Sequence, residues 1–263
     1  MATAERTASR GRRIAFLILA GVLGVAFALP LFGWPSLVLG WFETGDRLVH
    51  RVHDLGYGIW AGILVAVGYL SQLRAPERRI AGFQQAALAL VGQAIAVTLS
   101  RDGPFLLFLF GFAVLTAILG WLHPAREQVI ERGPPSVPLL VLAIAAAIPL
   151  TMYALDMTEL QRTGVPTDTH VAERHWSTMA ALALSIWLVA AQAGLRTPGW
   201  RIPAWSAGLA AAVFGVASMV FPAYPGSVGT TWGLVALLGG AVFIALAEWT
   251  YRRESSRRLM PAG

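Results

Sequence analysis

Histidine and acidic residues occur together at two places in this chain, near positions 50 and 170. Imidazole and carboxylate groups together are ligands that divalent transition metals accept. The candidate ligands are Asp46, His50, His53, Asp168, His170, Glu173 and His175.

The spacing of the first group predicts that its members share one face of a helix. Asp46, His50, His53, Asp54 and Tyr57 follow one another at i, i+4, i+7, i+8 and i+11. This spacing returns to the same side of an α-helix at each step. We therefore expect these side chains to lie on one face of the helix, near one of its ends.

Three interpretations of these residues remain open from the sequence. In the first, His53, His175, Asp46 and Asp168 bind one metal ion, with His50, His170 or Glu173 as alternative ligands or as partners of the ligands. In the second, His53 and His175 are the axial ligands of a non-covalent haem. In the third, the histidines and aspartates only cap helices or face water.

Missing residue types and motifs exclude several other classes of site. The chain has no cysteine, and all 20 of its basic residues other than histidine are arginine. Thiolate metal sites, iron–sulfur clusters, covalent c-type haem and lysine nucleophiles are therefore excluded. No common hydrolase, zinc-protease, dinucleotide or EF-hand motif is present. The fifth histidine, His123, precedes a proline and is typical of a helix terminus.

The elements that must position these residues are transmembrane helices. Charged residues make up 13% of the 263 positions, and the mean hydropathy is +0.62. Apolar runs of about 18 residues or more are long enough to cross the ~30 Å hydrocarbon core of a bilayer. The sequence predicts an all-α integral membrane protein with eight spans, at 14–41, 55–73, 80–99, 104–123, 136–155, 176–195, 203–221 and 229–250.

The arginines indicate how these spans are oriented. With the N-terminus inside, fifteen of the 20 lie on inner segments, and five lie outside: Arg47, Arg51, Arg101, Arg162 and Arg174. This asymmetry follows the positive-inside rule, so the basic charge reflects topology and not a nucleic-acid surface. We expect a bacterial plasma-membrane protein with both termini in the cytoplasm and the lipid bilayer as its partner. No soluble partner is indicated.

An internal repeat relates the two halves of the chain. A shift of 122 residues places Asp46 on Asp168 and His53 on His175, and it aligns two copies of L-R-x-P-x2-R-I that begin at Leu73 and Leu195. Four spans per copy predict two parallel four-helix repeats. The predicted organisation is an inner N-terminal tail (1–13), two repeats (14–132 and 133–251) and an inner C-terminal tail (252–263).

Under the repeat symmetry, His53 and His175 approach one another near the outer surface. Our working hypothesis is an outer histidine and carboxylate cluster that binds a metal ion or a redox cofactor. One alternative is a permease, with Gln85, Gln93, Tyr57 and Ser185 lining a path between the halves. The other is a non-catalytic membrane scaffold, in which the histidines point apart. The sequence identifies no reaction, so enzymatic activity stays open.

Overall fold

The fold is helical, with eight helices long and apolar enough to cross a membrane among the residues described. The computed structural model describes residues 2–29, 33–129 and 132–259, with side chains for positions 10–254 and 256 outside the gaps. The ends of both predicted tails, and residues 30–32 and 130–131 of the first predicted repeat, lie outside the described residues. Eight spans make this a multi-pass membrane protein, as the sequence predicts. The spans are Arg10–Leu39, Gly45–Leu73, Ile80–Leu99, Gly103–Leu122, Val137–Thr163, His175–Gly194, Arg201–Val220 and Gly229–Glu254.

The α-helices are numbered in chain order, and shorter 3-10 and π segments join some of them. A 3-10 helix (Gly45–His50) precedes α3, a π-helix (Ile59–Ala66) joins α3 to α4, and further 3-10 turns lie at Ser71–Leu73, Pro76–Arg78 and Arg126–Gln128. The α-helices are α1 (Ala2–Ala28), α2 (Gly33–Leu39), α3 (Arg51–Gly58), α4 (Val67–Leu70), α5 (Ile80–Leu99), α6 (Gly103–Leu122), α7 (Val137–Thr163), α8 (Thr169–Ala172), α9 (His175–Gly194), α10 (Arg201–Val220) and α11 (Gly229–Leu259).

Glycine lets the short helix α2 lie directly on the second span. A Cβ added to Gly58 would lie 2.4 Å from the backbone nitrogen of Leu37, and one added to Gly33 would lie 3.0 Å from that of Gly62. Such close backbone approach is the usual role of small residues in membrane helix packing. The second span is thereby held against the segment that leads into residue 43, next to the candidate ligands.

The helices divide into an interior group and an outer group. Most of α9, α5 and the second span is buried, whereas α6, α7 and α11 expose most of their side chains. Many of the exposed residues of the outer group are large and apolar, and Leu107 on α6 is 73% exposed. A continuous apolar exterior of this kind is compatible with lipid and not with water. The second span and α9, which carry His53 and His175, are therefore the protected centre of the bundle.

The largest extensions beyond the sequence pattern occur in two spans, both on the side of the candidate ligands. The second begins at Gly45 instead of residue 55, and the fifth continues to Thr163 instead of 155. Polar residues occupy both extensions, so a hydropathy pattern alone ends the span too early. The extensions carry the chain past the apolar layer and place His50 within a helical segment.

Candidate metal centre

Four of the five histidines meet at one end of the bundle. His50, His53, His170 and His175 each offer one ring nitrogen, and these nitrogens lie within 4.8 Å of one another. His50 and His53 belong to the first half of the chain, and His170 and His175 to the second. The rings of His53 and His175 are stacked, with centroids 4.9 Å apart and planes inclined by 15°. The approach of this pair predicted from the sequence is therefore observed.

Local helix geometry brings the first pair of histidines together. His50 is the last residue of the 3-10 helix, and His53 lies in the first turn of α3. Residues three apart lie on the same side of a helix, one turn removed. Both side chains are buried, and His53 is only 1% exposed. The pair thus points inward from the start of the second span.

A break in the helix brings the second pair together. In one continuous α-helix, residues five apart, such as His170 and His175, would point about 140° apart. Arg174, between α8 and α9, adopts left-handed backbone angles of φ 61° and ψ 29° instead. Such a conformation costs a non-glycine residue about 1–3 kcal/mol. The Arg174 guanidinium forms an ion pair with Asp102 and lies 5.3 Å from the ring centre of Phe105, which anchors the strained residue.

The nitrogens of this cluster are poorly satisfied by hydrogen bonds. Nδ1 of His50 and Nδ1 of His175 are 3.0 Å apart, so one must be protonated if they hydrogen-bond. Nε2 of His170 and both nitrogens of His53 are buried without a hydrogen-bond partner. The Val49 carbonyl lies near the His53 ring without normal hydrogen-bond geometry. Four imidazoles at this spacing, three of whose nitrogens are buried without a partner, are a suitable set of metal ligands.

Two carboxylates support the histidines of the second half. Asp168 Oδ1 accepts hydrogen bonds from the backbone nitrogen of His170 (2.9 Å) and from its Nδ1 (3.0 Å). These bonds, the backbone one first, lower the pKa of Asp168. Glu173 Oε2 lies 3.2 Å from Nε2 of His175. A carboxylate thus lies beside one ring nitrogen of each histidine, which leaves the other nitrogen for the cluster, as in carboxylate–histidine–metal arrangements.

Asp46 lies apart from this cluster. It is exposed in the first turn of the 3-10 helix, and the four-histidine group does not include it. The shared face expected from the sequence assumes one continuous α-helix. Over four residues a 3-10 helix advances to about 120°, compared with about 40° in an α-helix, so Asp46 and His50 diverge. Asp46 and Asp168, which the predicted repeat aligns, therefore have different surroundings.

Three further residues enclose the cluster, and the sequence pattern did not indicate them. The Trp176 ring stacks on His170 at 5.2 Å and meets His53 edge to face at 4.9 Å. Gly226 has a φ of +80°, and a Cβ there would lie 3.0 Å from Nε2 of His53. The Tyr153 hydroxyl donates to the Gly226 carbonyl at 2.6 Å and holds the loop in place. A Pro-Gly turn precedes α11, but a turn signal does not reveal what the turn covers.

A cavity of about 810 Å³ adjoins the cluster, with His175 in its wall. Arg47 donates to Glu43 Oε1 at 3.1 Å and to Asp54 Oδ2 at 2.8 Å, so two carboxyl groups share one guanidinium. Burial, together with the neighbouring Asp54, raises the pKa of Glu43 to about 7. Asp54 and Tyr57, expected on the histidine face, line this cavity instead. Glu43 had no signal in the sequence, because it precedes the apparent start of the span.

Two of the polar residues in the middle of the bundle, Gln85 and Ser185, donate to backbone carbonyls. Gln85 Nε2 donates to the carbonyls of Ile63 (3.1 Å) and Leu64 (2.9 Å), which belong to the π-helix. Ser185 Oγ donates to the Ala89 carbonyl at 3.1 Å. Gln93 is buried, and neither it nor Gln85 nor Ser185 lines the cavity beside the histidines. These contacts give Gln85 and Ser185 a part in helix packing, whereas Nε2 of Gln93 is buried without a hydrogen-bond partner.

Comparison of the chain with protein-family models, with curated proteins and with solved structures finds no match.

Proposed function

We propose that this protein binds one divalent transition-metal ion through His50, His53, His170 and His175, near the extracytoplasmic surface of a bacterial plasma membrane. The observation that carries the proposal is the convergence of four ring nitrogens within 4.8 Å, contributed by two distant parts of the chain. His53 is almost fully buried there with neither nitrogen hydrogen-bonded. An unsatisfied buried polar group costs about 1–3 kcal/mol, which a bound ion would offset.

The ligand type selects the class of ion. Neutral imidazole suits Zn²⁺, Cu²⁺ and Ni²⁺, whereas Mg²⁺ and Ca²⁺ prefer oxygen ligands. Four nitrogens at about 2.0–2.1 Å from a tetrahedral ion are roughly 3.3 Å from one another. The 3.0 Å between the Nδ1 atoms of His50 and His175 is close to this value, and small side-chain rotations bring the remaining nitrogens inward. Asp168 and Glu173 act as partners of the ligands and not as ligands in this proposal.

Such an ion would tie the two halves of the protein together. His50 and His53 precede the π-helix of the second span, and His170 and His175 flank the start of α9. We propose that these halves are the two parallel four-helix repeats, with both termini cytoplasmic. The matching polar residues in the sequence and the distribution of the arginines support this arrangement.

Metal analysis of protein purified without chelators or a polyhistidine tag tests the proposal. We expect one equivalent of transition metal by elemental analysis. Titration of stripped protein should give affinities at least about 100-fold lower in His53→Ala and His175→Ala, which exceeds the usual effect of changing a ligand's partner. The matched control is His123→Gln, which removes the histidine outside the cluster and should keep the metal.

Two outcomes would contradict the proposal. Unchanged metal content in both alanine variants would exclude these ligands. The second outcome is a Soret band after haem-supplemented expression that is absent in His53→Ala and His175→Ala. It would show that these histidines bind haem and not a single metal ion. The stacked rings of these two histidines argue against haem, because axial imidazoles point their nitrogens at an iron between them and need a flat slot.

A further inference from the structure

The cavity beside the histidine cluster reaches one of the four proposed metal ligands. Among the lining residues that the structure describes, His175 is the one member of the cluster. His50 and His53 are buried, and the Trp176 ring stacks on His170. The cavity is therefore an open space from which an ion can reach the cluster at His175.

The cavity has a polar mouth that lies at the ends of the spans. Thr44 and Glu173 line it, and both are exposed in the segments that connect spans, at 40–44 and 164–174. Arg47, at the start of the second span, is also an exposed lining residue. Exposed polar groups beyond the apolar part of a span are typical of the aqueous side of a membrane protein. Hydrated cations thus have access to the cavity from water.

Glu173 is the carboxylate of the wall that extends from the mouth to the cluster. Its side chain is 49% exposed, and its Oε2 lies 3.2 Å from Nε2 of His175. The two other acidic residues of the wall, Glu43 and Asp54, contact each other and share the Arg47 guanidinium. Glu173 therefore combines contact with water and contact with a proposed ligand.

The charges and ligand types in the wall favour the passage of a cation. A carboxylate at the entrance of a cleft with low-dielectric walls raises the local concentration of cations. Both arginines of the wall are paired, Arg47 with two carboxyl groups and Arg174 with Asp102, so their positive charge is offset. Leu39 and Phe105, in the apolar part of the wall, offer no ligand that would retain an ion.

We propose that divalent transition-metal ions enter the histidine site through this cavity, and that the Glu173 carboxylate binds each ion first and passes it to the cluster at His175. This inference rests on the proposed function, because it requires that an ion binds to the four histidines. Cu²⁺ accepts both oxygen and nitrogen ligands, which suits a transfer from carboxylate to imidazole. The cavity then controls the rate of binding, whereas the histidines and the carboxylates beside them control its strength.

Stopped-flow mixing of the metal-free full chain in detergent micelles with Cu²⁺ measures the rate of entry. Cu²⁺ quenches tryptophan fluorescence, and Trp176 lies against the cluster, with its ring 5.2 Å from that of His170. Mixing the loaded protein with excess EDTA gives the rate of release. The two rate constants together give the Kd.

A bulky group attached to the cavity wall tests the route. The chain has no cysteine, so Leu39→Cys and Val38→Cys each introduce one reactive thiol. The two positions are adjacent and 60% and 57% exposed, but of the two only Leu39 lines the cavity. Benzophenone-4-maleimide on Leu39→Cys should slow Cu²⁺ association and dissociation each by about tenfold or more without changing the Kd, because a narrowed path acts in both directions. The same reagent on Val38→Cys, and the small N-methylmaleimide on Leu39→Cys, should change neither rate.

A matched pair of carboxylates tests the role of Glu173. Asp168 lies beside His170 as Glu173 lies beside His175, but Asp168 does not line the cavity. Asp168→Asn and Glu173→Gln should both weaken binding, by about 10–100-fold. In Glu173→Gln the loss should come mainly from slower association, and in Asp168→Asn it should come from faster dissociation. The difference in association rate between Glu173→Gln and wild type should shrink in high salt, because screening removes the attraction of the carboxylate.

Each alternative result has a defined meaning. Unchanged rates after benzophenone modification of Leu39→Cys, or equal slowing in Val38→Cys, overturn the cavity as the route. Association that is unchanged in Glu173→Gln, or that is slowed equally in Asp168→Asn, overturns Glu173 as the first ligand. Stoichiometric Cu²⁺ binding by the wild type leaves the proposed function intact in these cases, whereas its absence contradicts that function and this inference with it.

Discussion

The two ends of the bundle use buried histidine in opposite ways. At one end, His53 is buried with both ring nitrogens unpartnered, among three other imidazoles. At the other end, His123 caps α6 and is fully buried, with its Nδ1 accepting from the backbone nitrogen of Ala125 at 3.0 Å. Nε2 must then carry the proton, and it donates to Gln72 Oε1 at 3.3 Å.

This difference separates a structural histidine from a candidate ligand. The polar network around His123 is complete, since Gln72 in turn donates to the Arg79 carbonyl at 2.8 Å. The sequence interpretation of His123 as a helix terminus is confirmed. A buried group whose hydrogen bonds are complete in the folded chain needs no ligand, whereas both ring nitrogens of His53 still lack a partner.

The largest expected effect is on metal-linked stability. Free metal at 100 times its dissociation constant should stabilise the folded protein by about 2.7 kcal/mol, measured as a rise in the thermal unfolding midpoint over chelated protein. His53→Ala should lose this rise, because the ion then lacks a buried ligand, and His123→Gln should keep it. If metal raised the unfolding midpoint equally in both variants, His53 would be no more involved in metal binding than His123.

A smaller effect is expected from the carboxylates that hold His170 and His175. Asp168→Asn and Glu173→Gln should each weaken metal binding about 10–100-fold, because the ring is less firmly oriented and less basic. Calorimetric titration measures this change. Asp46→Asn is the matched control, since the predicted repeat aligns Asp46 with Asp168 but Asp46 is exposed outside the four-histidine group. Equal losses in the three variants would point to surface charge instead of specific support.

The smallest effect concerns the satisfied histidine. Burial lowers the pKa of His123 from 6.5 to about 4. A lowered folded-state pKa stabilises the protein above pH 6.5, and this contribution is lost as the pH falls towards 4. In chelator, His123→Gln should unfold more easily by about 1 kcal/mol at neutral pH, because the Ala125 nitrogen loses its acceptor. The difference from wild type should narrow on acidification, and a constant difference between pH 7 and 4 would contradict a buried neutral imidazole.

Apolar periodicity and length predicted the eight spans, because a bilayer-crossing helix must be apolar over a set distance whatever its neighbours. Apolar periodicity does not detect polar extensions of a helix, and for that reason it did not predict that the second span begins at Gly45. The repeat alignment indicated the pair His53 and His175. The alignment gave no reason to prefer His50 and His170 to the aspartates as metal ligands. It places His50 on Ala172 and His170 on Leu48, neither of which is a ligand type.

The sequence by itself determined that this chain spans a membrane eight times and carries four of its five histidines near one surface, since hydrophobicity and residue type are local properties. Only the tertiary structure decided that those four rings converge, that Asp46 lies apart from them, and that Trp176 and Gly226 enclose His53. The direction of Asp46 depends on the 3-10 helix that replaces an α-helix there. The convergence of His170 with His175 depends on the helix break at Arg174, and the cover over His53 depends on how the loop that contains Gly226 packs. Backbone angles and long-range packing set these features, and neither is encoded in the spacing of any single segment.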